Sequence, residues 1–271
     1  MSRPLVMGIV NVTPDSFSDG GRFLGGAAAL DHARRLIGEG ADILDIGGES
    51  TRPGAEPVGE TEEIARVAPL IAALRAASPI PISIDTMKPA VARAAVAAGA
   101  TMWNDVTALG FAAEGAAVAA ELGCEVVLMH MRGQPETMQA APRYDDVVAE
   151  VCAFLLARAE TAMAAGVARE RIWLDPGLGF GKTAQHSLTL LRNLDTLVAL
   201  GFPVLLGASR KSFLRTVDPS AKNADDRLGG SIGAALAGAA AGVAAVRVHD
   251  VRETVQALAV WAAIGQAGSH D

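Results

Sequence analysis

"GADILDIGGESTRPG", residues 40–54, runs an apolar stretch into an acid, two glycines, a second acid, two hydroxyl residues, an arginine and a proline. The first half reads as a buried strand, and the second half is a loop far richer in chemistry than strand burial requires. The same form returns along the chain. Short β-branched runs lie at 4–10, 42–46, 81–84, 101–104, 125–129, 171–175, 203–207 and 244–248. Ala-, Leu-, Arg- and Glu-rich segments separate them, at 26–40, 60–77, 88–99, 114–123, 144–165, 184–201, 226–242 and 251–265, often with Gly as a stop. Eight strands each followed by a helix predict an α/β fold, one closed (β/α)8 TIM barrel over 1–271 with its site at the C-terminal ends of the strands. The strands are apolar without clean alternation, as expected when both faces are covered. An open doubly wound sheet uses the same units; the strand count and the lack of a linker favour the barrel. The interruptions at 11–24 and 130–143 read as exposed loops.

Bulk properties agree with an enzyme-sized domain. The chain has 271 residues and a formal net charge of -7, from 23 basic and 30 acidic residues. That argues against a general nucleic-acid surface. Cys124 and Cys152 are too few and too far apart for a disulfide framework or a CxxC site, so a reducing, cytoplasmic setting is expected. The first residues reach Asn11 and Asp15 too soon for a secretory signal. "LGGSIGAALAGAAAGVAAV", 228–246, is mostly Ala and Gly and reads as a helix running into a strand, not as a membrane span.

The strand ends carry the chemistry. In order they deliver Asn11, Asp45, Asp85, Asn104 with Asp105, His130, Asp175, then Ser209, Arg210 and Lys211, and last Arg247 and His249. In a closed parallel barrel all of these open on one face. An acid at a strand end also suits the cap of the next helix, a reading that fits Asp105 and Asp250. Asp45, Asp85 and Asp175 with Asn104 suit a ligand rich in N–H donors, such as a planar amidine- or guanidine-like ring. Lys211, Arg210, Arg247 and His249 suit an anionic group such as a phosphate. "SRKSF", 209–213, is expected to open a helix whose amides would help. "GLGFG", 177–181, is no dinucleotide fingerprint, and "GFGK" lacks the glycine spacing of a P-loop. His32 and His186 fall in helical segments, Cys124 reads as packed, and Met129 as lining the cavity.

With these residues stands a resemblance over essentially the whole chain. "MGIVNVTPDSFSDGG" (7–21) and "DILDIGGESTRPGA" (42–55) resemble the two long signatures of the dihydropteroate synthase family. "SIDTMKP" (83–89), "NDV" (104–106), "VVLMHMRGQP" (126–135), "LDPGLGFGKT" (174–183), "LLGASRKSF" (205–213) and "VRVHDV" (246–251) support it. The resemblance implies joining of 6-hydroxymethyl-7,8-dihydropterin pyrophosphate to p-aminobenzoate, giving 7,8-dihydropteroate and pyrophosphate on the route to folate. It implies a catalytic set of Asp85, Lys211, Arg247 and His249. The pterin would lie on Asp85, Asn104, Met129, Asp175, Lys211 and Arg247, and the pyrophosphate on Asn11, Arg247 and His249. Asn11 would hold the cofactor Mg2+. Phe17, Thr51, Arg52, Pro53, Phe180 and Ser209 would take p-aminobenzoate, and Asp45 would organise the first loop. Small molecules would be the partners, with a homodimer formed through the last helices. Three other readings stay open on the residues: a pterin-binding methyltransferase, a non-catalytic paralogue, and a sugar- or nucleotide-phosphate enzyme on the same fold.

Overall fold

A computed structural model of the chain describes residues 3–12, 21–50, 57–133, 138 and 141–267, with side chains from residue 26 onward in the second span. Eight strands occur in it: β1 (Leu5–Asn11), β2 (Ile43–Gly47), β3 (Ile82–Asp85), β4 (Met102–Asp105), β5 (Glu125–Met129), β6 (Ile172–Asp175), β7 (Leu205–Leu206) and β8 (Ala245–Val248). All eight expected strands are present, each within two residues of its expected bounds. They pair in parallel in the order β6-β5-β4-β3-β2-β1-β8-β7. A parallel bridge from Leu174 to Val204 joins β6 to the residue before β7 and closes the barrel. The architecture is a (β/α)8 barrel, not the open sheet.

Because side chains alternate along a strand, closure sorts them into two cores. Met7, Ile43, Met102, Val127, Trp173, Leu205 and Ala245 form one buried cluster inside the barrel. Val6, Leu44, Ile82, Trp103, Leu128, Ile172, Leu174 and Val246 join a separate cluster beneath the helices. Two residues beyond the inner set, on the same face, stand Asp45, Asn104, Met129, Asp175 and Arg247. An apolar floor therefore carries a polar layer, which hydropathy averaged along each strand conceals.

The helices are α1 (Gly21–Gly38), α2 (Glu60–Ala77), α3 (Pro89–Ala98), α4 (Gly115–Leu122), α5 (Val147–Ala164), α6 (Ala184–Arg192), α7 (Leu194–Val198), α8 (Leu214–Val217), α9 (Leu228–Ala241) and α10 (Val251–Ala267). Four expectations are corrected. Helix α1 starts at Gly21, so the loop expected over 11–24 ends earlier. The single helix expected over 184–201 breaks at Asn193, whose Nδ2 donates to Thr189 O at 2.8 Å and diverts the backbone. No helix opens at 209–213: the segment turns, with Arg210 at a positive φ of 58°, and α8 that follows is one short turn. The 130–143 loop is anchored rather than wholly exposed, since His130 and Met138 are buried. The Ala/Gly-rich 228–246 stretch forms α9 and β8 as expected, and among the described residues no helix is long and apolar enough to cross a membrane.

Candidate active site

The polar layer is organised around one guanidinium. Arg247 Nε donates to Asp45 Oδ2 at 2.5 Å, and Nη2 donates to Asp85 Oδ2 at 2.6 Å. Asn104 Nδ2 donates to the same Asp45 oxygen at 3.3 Å. Both carboxylates keep a buried second oxygen, Oδ1 in each, with no hydrogen-bond partner among the described residues. Burial opposes the Arg247 charge, but Asp45 and Asp85 outweigh it and make the guanidinium more basic than usual. Burial pushes Asp85 up to about 7; Arg247 pulls it down, while Asp45 adds to the rise.

A second group lies across the mouth. Asp175 Oδ1 accepts from Gly177 N at 2.7 Å, and burial raises its pKa against the pull of Lys211. A Cβ on Gly207 would stand 3.7 Å from both Asp175 Oδ2 and Lys211 Nζ, an ordinary contact distance that places the two charges beside the same glycine. Lys211 Nζ donates to Leu178 O at 2.5 Å and lies 4.7 Å from the centroid of the Phe180 ring. Burial lowers Lys211 to about 8, with Asp175 holding it up. Ser209 and His249 form the third group: Ser209 Oγ accepts from the His249 backbone N–H at 3.1 Å and lies 3.0 Å from its Nδ1. Asn11 ends β1 in register with Gly47 of β2. Met129 ends β5, buried and paired with Asp175.

Several rim residues prove to have other duties. His130 packs edge-on to Phe154 at 4.9 Å, and its Nδ1 lies 2.8 Å from Lys182 Nζ. Burial first, and then Lys182, lowers its pKa to about 3, so it is a neutral acceptor under the loop. Asp105 belongs to the helix-side layer and caps a turn, not α4: its carboxylate accepts from Thr107 N and Oγ1, both at 2.7 Å, and from Leu109 N at 3.0 Å. Arg210 gives its guanidinium to Asp250 and Asp225 instead of the mouth, which overturns its expected place in the anion site. Asp250 does stand directly before α10, its carbonyl accepting from Thr254 N at 3.1 Å, while its carboxylate is held by Arg210. "GLGFG" has a packing reason. Gly177 and Gly181 sit at φ of 64° and 62°, where any Cβ would strike the carbonyl oxygens of His130 and Arg132.

Two buried lysines carry structure that the motifs hold without revealing. Lys88 Nζ donates to Glu63 Oε2 at 2.6 Å, to Glu49 Oε2 at 2.9 Å and to Val58 O at 2.6 Å. It ties the ends of β2 and β3 to helix α2. Lys182 Nζ also reaches His130 O at 3.2 Å and Phe180 O at 3.1 Å, joining the loops after β5 and β6. The one signal for them was a lysine just beyond a rim acid, in "DTMK" and in "DPGLGFGK". Phe17, Thr51, Arg52 and Pro53 lie outside the described residues.

The model of the family described as "Pterin binding enzyme" matches residues 7–249. A dihydropteroate synthase of Neisseria meningitidis serogroup B is 50% identical over 270 residues, 98% of this chain and 94% of the relative. The chain belongs to the dihydropteroate synthase family. A Xanthomonas albilineans dihydropteroate synthase solved with 4-aminobenzoic acid superposes with a TM-score of 0.91 at 51% identity, covering 97% of this chain and 93% of that one. A further Xanthomonas albilineans dihydropteroate synthase structure, in complex with 7,8-dihydropteroate, gives 0.88 at 48% identity over 97% and 94%. Of the residues that the family resemblance singles out, Asp45, Asp85, Asn104 and Arg247 share one hydrogen-bonded cluster in the barrel mouth.

Proposed function

We propose that this chain is a dihydropteroate synthase, condensing 6-hydroxymethyl-7,8-dihydropterin pyrophosphate with p-aminobenzoate to give 7,8-dihydropteroate and pyrophosphate. The observation that carries the reading is the buried Oδ1 of Asp85 beside Arg247, which has no hydrogen-bond partner among the described residues. A carboxylate oxygen buried without a donor is costly, and an N–H-rich ring entering the mouth relieves that cost.

In this proposal Asp85, Asn104, Asp175 and Lys211 hold the pterin, with Met129 and the Arg247 guanidinium against the ring. Arg247 and His249 take the pyrophosphate and stabilise its charge as the C–O bond lengthens. Positive charge then spreads from the exocyclic methylene into the pterin, and the Asp85 carboxylate favours that state over the neutral substrate. The neutral arylamine attacks with its free lone pair and the resulting ammonium loses its proton to the released pyrophosphate or to water, so neither Ser209 nor Lys211 needs to form a covalent bond. Ser209 receives the p-aminobenzoate carboxylate, and Phe180 flanks its ring. Phe17, Thr51, Arg52 and Pro53 are assigned to the same substrate on resemblance alone.

The donors suit magnesium. Asn11 supplies a hard oxygen at the end of β1, next to the strand of Asp45, whose buried Oδ1 has no partner among the described residues. Mg2+ keeps much of its water shell and takes few protein ligands beside a phosphate. Held by Asn11, it would supply charge neutralisation on the pyrophosphate. A homodimer through the last helices is also proposed; Val260 and Ile264 on α10 are 56% and 69% exposed and apolar. A cytoplasmic location completes the reading, in keeping with two free, buried cysteines.

The test is pyrophosphate release from the dihydropterin pyrophosphate ester with Mg2+, with and without p-aminobenzoate, and product mass. Release that depends on p-aminobenzoate, with dihydropteroate formed, supports the synthase. Release without condensation replaces it with a hydrolase. Saturable pterin binding without turnover replaces it with a binding paralogue.

A further inference from the structure

Arg210 sits between Ser209 and Lys211, and Asp250 directly follows His249. The two are joined by a two-pronged ion pair, Nε to Oδ2 at 3.0 Å and Nη2 to Oδ1 at 2.5 Å. Their side chains are only 28% and 17% exposed. Arg210 adopts a φ of 58°, a left-handed conformation that L side chains rarely take and that persists only where the surroundings over-determine it. Here every polar group of the residue is engaged. Its N–H donates to Ser231 Oγ at 2.9 Å, and its carbonyl accepts from Arg227 Nη1 at 2.9 Å. Ser231 Oγ in turn donates to Arg227 O at 2.7 Å, which fixes both partners at the start of α9. The third guanidinium nitrogen reaches Asp225, whose side chain is 83% exposed and adds little.

We infer that the Arg210–Asp250 pair is a positioning clamp that sets the loop after β7 against the loop after β8. The backbone reversal at Arg210 turns its own side chain to Asp250 while the neighbours on either side reach site groups. Ser209 meets His249, and Lys211 reaches the Phe180 turn. Four of the proposed substrate-contacting residues, Ser209, Lys211, Arg247 and His249, come from the two segments that this pair joins, alongside the Ser209–His249 contacts. A planar fork holding both oxygens of one carboxylate fixes orientation as well as distance, which a lysine cannot reproduce. Arg210 thus acts through its neighbours and does not touch substrate. The inference rests on the proposed roles of those four residues.

The test compares R210A, R210K, D250N and the double variant R210A/D250N in the full-length protein. Thermal unfolding would first establish that each is folded at the assay temperature. Pyrophosphate binding by calorimetry, with Mg2+, and steady-state kinetics for both substrates would follow. The clamp predicts that R210A, R210K and D250N each weaken pyrophosphate binding by a similar factor, about tenfold, and lower kcat/KM for both substrates roughly 10- to 100-fold, the cost of a small misplacement. The double variant should be no worse than the worse single variant, because the two residues act as one unit. If Arg210 were instead a phosphate ligand, R210A would weaken pyrophosphate binding while D250N left it unchanged or tightened it. That outcome overturns the clamp, as do folded variants with unchanged binding and kinetics, or an R210K that works like the parent. Should R210A not fold, D250N and R210K decide the matter. A parent protein that binds pyrophosphate but forms no dihydropteroate would sink the proposed function, and the clamp would still be judged on binding.

Discussion

Arg247 bridges two buried carboxylates, with Nε 2.5 Å from Asp45 and Nη2 2.6 Å from Asp85. Asp45 is fully buried, so the guanidinium is the countercharge that lets two acids stand together inside a barrel. Removing it leaves both uncompensated. Arg247→Ala is expected to cost about 3–5 kcal/mol of stability as well as turnover. Arg247→Lys should recover part of the stability but little activity, since an ammonium cannot reach both acids in one plane. Urea unfolding set beside kcat/KM would check this; an alanine variant as stable as the parent would contradict it.

Asp85 is assigned to charge development, not to pyrophosphate. Asp85→Asn keeps the shape and removes the charge, so kcat should fall at least about 100-fold while the inhibition constant of pyrophosphate changes little. Similar losses in both would make Asp85 an organising residue instead.

The pH dependence follows from two groups pushed towards each other by burial. Asp85 must be ionised to accept from N–H donors, and its pKa is raised to about 7, so activity should rise with pH through that region. Lys211 must stay protonated, and burial lowers it to about 8, so activity should fall above that. The profile of kcat/KM for the pterin substrate should therefore be a narrow bell. In Asp85→Asn the acid limb should change, since only Asp175, whose pKa burial also raises, is left to carry it, while the alkaline limb stays.

Lys88 holds Glu49 and Glu63 at side-chain exposures of 8% and 0%. Lys88→Met should destabilise by about 3–5 kcal/mol through two stranded acids. Adding Glu49→Gln and Glu63→Gln should return a large part of that loss, since the cost lies in the unpaired charges. Denaturant midpoints of the single and triple variants would show whether the triad behaves as one unit.

Gly177 has a positive φ, and a Cβ there would meet the His130 carbonyl. Gly177→Ala should lower stability by at least about 1–2 kcal/mol from the left-handed backbone alone. Separation of the two loops should add to that and weaken pterin binding through Asp175, which accepts from the Gly177 N–H. Unchanged melting temperature and pterin affinity would refute the packing role.

Much of the fold is legible in the sequence alone. The strand runs, their spacing and their polar last residues are local properties, and Asp85, Asp175 and Arg247 stand where that pattern puts them. The failures share a cause. Arg210 breaks an expected helix through a backbone angle held by neighbours distant in the chain, and Asn193 breaks another through a bond back to Thr189 that competes with helix continuation and that helix propensity does not register. His130, Arg210 and Asp105 carry the same residue types as the groups that face the barrel mouth, and only the direction of the side chain separates them.

By itself, then, the sequence determined which chemistry gathers at one end of a closed barrel, because strand length, period and end residues are written in chain order. Only the tertiary structure decided which charges pair. Arg247 finds Asp45 from 202 residues away, and Arg210 finds Asp250 from 40, contacts that no local propensity encodes. Barrel closure makes those pairs, since it brings the last strand beside the first and turns alternate side chains into one buried layer, where each charge must find a partner.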